Sequence, residues 1–369
     1  MGKAFFKLFL LGLAAISFCT GSCFAKEKPQ VIIASRALNG VIGQDSLLDA
    51  ALGEKIAAVV ERRLLALEQQ GALPFTIARD FNNFTNGYYE GSLVLQPLIL
   101  NDRIYREEFF MGGTVFAKAR LMTQLNLLLC YYPGQGEGVR ILYNWPLAGY
   151  SVLGGHGEYE NIIPKRELQK YFLTNIEELV GSANFSSKGL ARNLEERKQT
   201  CSTYQVGQVF FSSAAAQQAF PKIYGEDYEQ ELGSLIAGMY SAQLAQKHLE
   251  LVVLPNKYSG NWEQQVAEAA QSTNIYNTAY RAQEGEKQIA LDVKKISSFP
   301  VPNKDKGSIY GFKGYGAALG DGQQVADNFI TVEYLLSDAQ VSHSRYYDGI
   351  FAEVLCKVAK ELAEKYKED

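Results

Sequence analysis

Apolar residues recur at spacings of three and four through Leu52, Ile56, Val59, Val60, Leu64 and Leu67, which lines one face of an α-helix. Asp45 or Ser46 stands where an N-cap would be, and Gly71 where the helix should stop. The same spacing returns at Tyr228, Leu232, Leu235, Ile236, Met239 and Leu244. At an offset of 180, Leu52-Gly53 falls on Leu232-Gly233, Ile56-Ala57 on Ile236-Ala237, and Leu64 on Leu244. β-rich runs precede both helices, at Gln30–Arg36 and Gln205–Ser212, and short apolar runs follow them, at Phe75–Arg79 and Leu251–Pro255. Further strand patterns lie at Ser92–Leu100, Val115–Tyr132 and Val139–Leu153 in the first half. The second half has them at Gln288–Phe299, Ser308–Tyr315 and Asn328–Ser337. Each half closes with an amphipathic helix, through Leu168, Phe172, Ile176 and Leu179 in one and Phe351, Leu355, Val358 and Leu362 in the other.

This repeated order predicts an α/β (α+β) class: two tandem, similar α/β sandwich domains in which helices cover one face of a mixed sheet. Ser186–Thr203 is polar and lacks a sustained apolar stripe, so the linker is placed at 186–203, between a first domain at 26–185 and a second at 204–369. In the long strand of the first half, Ala117, Ala119, Leu121, Thr123, Leu125, Leu127 and Leu129 share one face. Lys118, Arg120, Gln124 and Asn126 share the other, and a turn at Pro133–Gly138 sends the chain back as a hairpin. The simplest expectation is that the apolar face covers helices and the cationic face meets water. The alternative is that the hairpin enters a membrane barrel or pairs with a partner's strand.

Met1–Ala25 begins with two lysines, continues through an apolar run from Leu8 to Phe18 and ends in small residues at Cys23 and Ala25. This is the pattern of a cleaved secretory signal peptide, 1–25. The run is shorter than the ~20 apolar residues needed to span a bilayer. Cys19 and Cys23 are poor candidates for lipidation, since Phe18 and Thr20 occupy positions that favour smaller or branched aliphatic residues.

ALGEKIAAVVERRLLALEQQGALPFTIARD, followed by ARLMTQLNLLLCYYPGQGEGVRILYNWPLAGYSV, resembles the α/β domain of the curli-secretion-channel family. Related domains occur in flagellar assembly protein T and at the amino terminus of the Tol translocation protein TolB. The resemblance covers most of Gln30–Asn184 and, more faintly, Tyr204–Glu368. It implies an exported envelope protein that assembles or scaffolds secretion or motility machinery without catalysing a reaction. It carries no pore-lining residues onto this chain.

The 369 residues hold 36 Lys and Arg against 40 Asp and Glu, a net charge of −4, so bulk electrostatics does not favour nucleic acid or anionic lipid. After loss of the leader, Cys130, Cys201 and Cys356 remain and allow at most one disulfide; without a CxxC, no zinc knuckle is expected. A hydrolase would use His156 with Ser151 or a nearby carboxylate, or His343, but no Gly-x-Ser-x-Gly elbow occurs. His248 closes the second repeat helix, where the helix dipole favours a cation. Gly314–Gly320 reads as glycines between strands and not as a dinucleotide loop. No metal or cofactor is expected. The aromatic clusters at Tyr88, Tyr89, Tyr346 and Tyr347 are candidates for an interaction surface. The leading expectation is an exported, non-enzymatic envelope accessory or scaffold, most simply periplasmic, whose partners are envelope proteins or an outer-membrane-associated assembly. A hydrolase using His156 and a membrane-associated pore or assembly component are the alternatives.

Overall fold

The computed structural model of the protein describes residues 28–41, 46–79, 91–111, 114–133, 138–156, 164–186, 188–258, 262, 265–266, 287–301, 308–320, 323–336 and 348–366. Of these, 106–111, 156, 188, 297–301, 308–320, 323–336 and 348 are described by backbone alone. The first sheet contains β1 (Gln30–Ile33), β2 (Leu38–Asn39), β3 (Thr76–Ile77), β4 (Ser92–Asn101), β5 (Ile104–Met111), β6 (Thr114–Tyr132) and β7 (Arg140–His156). β1 lies between β3 and β4, parallel to both, and β2 pairs with the far end of β4. β4 and β5 share one edge of β6 and β7 runs along the other, all antiparallel to it. The second sheet contains β8 (Thr203–Phe210), β9 (Val252–Val253), β10 (Lys287–Val301), β11 (Ser308–Gly320) and β12 (Gln323–Leu336). β8 lies parallel to β9 and β10, and β11 and β12 follow antiparallel. The orders β3-β1-β4-β6-β7 and β9-β8-β10-β11-β12 therefore agree in position and direction. Both sheets are mixed, as the sequence pattern predicts for this class.

The helices among the described residues are α1 (Ala50–Gln69), α2 (Lys165–Ser182), α3 (Lys188–Glu196), α4 (Ala214–Tyr224), α5 (Tyr228–Lys247) and α6 (Asp348–Lys365). The cap of α1 is Asp49, whose carboxylate accepts from Leu52 N at 2.7 Å. Ser46 is used elsewhere: its hydroxyl donates to Asp102 at 2.6 Å, and Asp45 lies outside the described residues. Gly71, at φ 73°, ends the helix in the left-handed conformation that a side chain would oppose. α1 and α2 pack together on one face of the first sheet, where Ile56, Val60, Leu64, Phe172, Ile176 and Val180 are fully enclosed with Leu121, Leu125, Leu127 and Leu129 of β6.

Most of the opposite face of the first sheet is also shielded from water, the exception being the β7 edge at Tyr150 and Val152. α5 lies on β4, β6 and β7, α6 lies beside it, and the second sheet closes over both helices. The layers thus run helices, sheet, helices, sheet. Arg120, Gln124 and Asn126, expected in solvent, are 1%, 1% and 3% exposed because this second helical layer sits on them. α5 consequently buries 13 of its 20 residues and has no polar side to speak of. Val252, Leu254, Trp262 and Val266, all from the second half of the chain, join the core of the first sheet, while Tyr105 and Met122 from the first half join the core of the second.

Beyond β2 and α4, which the hydrophobic pattern did not single out, three segments differ from the sequence reading. Within 186–203, α3 buries Leu190 and Leu194, one turn apart, against β7, so two apolar residues suffice where a long stripe was sought. β5 was not expected, because Arg106-Glu107-Glu108 breaks the apolar alternation, yet it pairs with β6 throughout. Gly316–Gly320 belong to β11 and pair with β10, so the glycines lie within a strand.

Two expectations test this architecture. A Cβ on Gly238 would overlap the amide of Gln124, which is itself enclosed, so Gly238→Leu should cost about 1–3 kcal/mol of stability. An unchanged urea midpoint would refute the close approach of α5 to β6. Burial holds the Asp102 carboxyl above its ordinary value, although Ser46 and Leu48 N (2.9 Å) donate to it. A raised folded-state value favours the protonated form, so its contribution is fully present below the ordinary carboxylate range and is lost as pH rises through the raised value. Urea unfolding across the acid range should therefore show Asp102→Asn gaining on the wild type as pH rises to neutrality.

Candidate functional site

Among the described residues, a constellation of ionisable groups lies on the polar face of β6. Arg120 forms a buried ion pair with Glu353 of α6, their side chains only 2% and 8% exposed. Lys357, one helical turn further along α6, places its Nζ 2.7 Å from the other carboxylate oxygen. Tyr150 comes from β7, where its register opposite Met122 puts it on the same face as Arg120, and its hydroxyl donates to that oxygen at 3.3 Å. Burial, and then the negative charge of Glu353, push the Tyr150 phenol upward, so it remains a neutral donor near pH 7. Donors from a guanidinium, an ammonium and a phenol occupy the carboxylate, which leaves it little capacity to take a proton from a substrate. Chemically the group is a clasp.

The same seam continues along both hairpin strands. Gln124 Nε2 donates to Leu235 O of α5 at 2.7 Å, and Asn144 Nδ2 donates to Val253 O of β9 at 2.6 Å. Tyr143 donates to Leu249 O at 2.8 Å, and Arg103 pairs with Glu231 of α5 at 2.6 Å. At the far side, the Gln265 amide accepts from Asn39 N at 3.0 Å and donates to Asn39 O, completing β2 as a neighbouring strand would. A cleft of about 190 Å³ beside it is lined by Arg36, Asn39, Asp49 and Gln265. That is small against the ~300 Å³ where ligand pockets usually begin.

The residues singled out from sequence fare differently. Tyr88, Tyr89, Tyr346 and Tyr347 lie outside the described residues, as does His343. Ser151 and His156 do not form a nucleophile and base. They are five positions apart on one regular stretch of β7, about 17 Å at the rise of an extended strand. Ser151 instead accepts from Asn175 of α2 at 3.0 Å, and the same amide reaches Thr123 at 3.2 Å. His248 ends α5 with its Nδ1 3.4 Å from Glu250 and its ring edge-on to Tyr366. Cys130, Cys201 and Cys356 are free thiols, and burial pushes Cys130 up to about 12 and Cys356 upward as well. Among the described residues, no three His, Cys, Asp or Glu side chains converge as metal ligands would.

Glu353 escaped sequence reading, although a signal existed: it is a lone carboxylate within the apolar run Ile350-Phe351-Ala352-Glu353-Val354-Leu355. The alternation of Arg120, Gln124 and Asn126 along one strand was the matching signal on the other side. Glu353→Gln strands a buried guanidinium and should cost about 3–5 kcal/mol, whereas Arg120→Met combined with Glu353→Leu should recover most of that loss. Urea unfolding followed by tryptophan fluorescence measures both, and additive losses would refute the pairing.

No known protein family matches the chain, and no curated protein does. Among solved structures the chain is similar to the crystal structure of a minor lipoprotein from Acinetobacter baumannii, at 8% sequence identity and a TM-score of 0.19, over 47% of this chain and 97% of that one. A score that low bears on neither fold nor role.

Proposed function

We propose that the protein is an exported, non-enzymatic accessory or scaffold of a bacterial cell envelope, made of two tandem α/β units that act through contact with other proteins. The observation that carries this reading is the use made of the buried polar groups. Arg120, Glu353, Gln124 and Asn144, together with the half-buried Arg103, each hold one layer against another and present no convergent reactive set. The agreement of the two strand orders supports the tandem arrangement. The leader pattern of Met1–Ala25 supports export. Among the described residues no helix is long and apolar enough to cross a membrane, which is compatible with peripheral attachment.

Fractionation of cells expressing the full chain with a carboxyl-terminal tag should place a shortened form, beginning after Ala25, in the envelope fraction. Recovery of the full-length chain in the cytosol would defeat the proposal. Cross-linking in intact cells, followed by purification through the tag, should return envelope proteins in fixed proportion.

A further inference from the structure

We infer that the carboxyl-terminal half of β7 is where two copies of this chain pair, antiparallel and two-fold symmetric about Ser151. The two halves of this edge differ. In the first half, the Leu142 carbonyl accepts from Asn193 of α3 at 2.7 Å, and Asn144 is tied to Val253 of β9. From Leu147 onward, no described strand pairs with the outer edge. Exposed edges are ordinarily guarded by charge, proline or shortness. β3 and β9 have two residues each, β5 carries Arg106, Glu107 and Glu108, and β12 carries Asp327 and Glu333. Leu147–Gly155 has no charged residue and no proline.

This unguarded stretch is also self-complementary. Alternation puts Tyr150 and Val152 on one face, where they are 36% and 47% exposed, among the largest exposures of big apolar side chains in the described residues. With Ser151 opposite the Ser151 of a second copy, Tyr150 meets that copy's Val152 and Val152 meets its Tyr150. These are two aromatic–β-branched cross-strand pairs, made by one patch used twice. Gly149 then faces Leu153 and Ala148 faces Gly154, so a small residue stands opposite each neighbour. No like charges confront one another anywhere along the pairing. A second copy therefore satisfies both the backbone groups of the edge and its apolar side chains.

Light scattering coupled to size exclusion tests it on the full chain lacking residues 1–25. The expected result is a concentration-dependent dimer that Val152→Lys converts to monomer. Because Val152 neighbours Arg120 across the β6–β7 register, Gly154→Lys serves as the second variant; a side chain there meets only ordinary contact with Ala117 O at 3.4 Å. Circular dichroism and the melting temperature show whether each variant keeps its fold. S151C should form a covalent dimer on mild oxidation, since directly opposed strand residues lie within disulfide range. A wild type that stays monomeric at every concentration, or a dimer that survives both lysine variants and leaves S151C uncross-linked, would overturn the inference.

Discussion

Placing the guanidinium of Arg120 in the interior, on the strand that organises the first sheet, is the constraint from which most of the arrangement follows. Removing a charged group from water costs several kcal/mol even after the protein relaxes, and only a well-placed counter-charge offsets it. Glu353 supplies that charge from the last helix of the chain, 233 residues away in sequence. The position of α6 on the sheet is thereby set, and α5, lying beside it, must approach β6 and β7 closely. The approach is possible because Gly238 presents no side chain to Gln124, and it is fixed by the bond from Gln124 to the Leu235 carbonyl.

A helical layer between two sheets has consequences for how the halves depend on each other. α5 packs into the core of the second sheet while covering the polar face of the first, so the first sheet does not have both its faces covered by its own half of the chain. The exchange runs both ways: Trp262 and Val266 enter the first core, and Tyr105 and Met122 enter the second. Buried polar contacts of this type add little net stability beside apolar packing, but they penalise every misaligned docking of the layers. That is the property the proposed scaffold role requires, because surfaces offered to partners would then be held in a fixed relation.

Much of the architecture was legible in the chain because periodicity is a local property. The stripe from Leu52 to Leu67, the alternation through β6 and the stripe from Phe351 to Leu362 each follow from which residues must face a core, and each became the expected element. β5 and α3 were hidden for the same reason. Charges at Arg106, Glu107 and Glu108 mask a strand whose pairing comes from the backbone, and α3 is held by two leucines and by Asn193, which bonds the Leu142 carbonyl. The Ser151 and His156 pair shows the reverse error: nearness in sequence along a strand is distance in space.

The sequence by itself determined the α/β class, the order of most of the longer elements and the apolar faces that line the helix–sheet cores, since hydrophobic spacing dictates these without reference to distant residues. Only the tertiary structure decided that the polar face of the long hairpin is interior, that α5 is enclosed on both sides, and that Glu353 answers Arg120. Each of these depends on which surfaces meet across more than 100 positions of chain, and a polar residue awaiting a buried partner looks the same in sequence as one facing water.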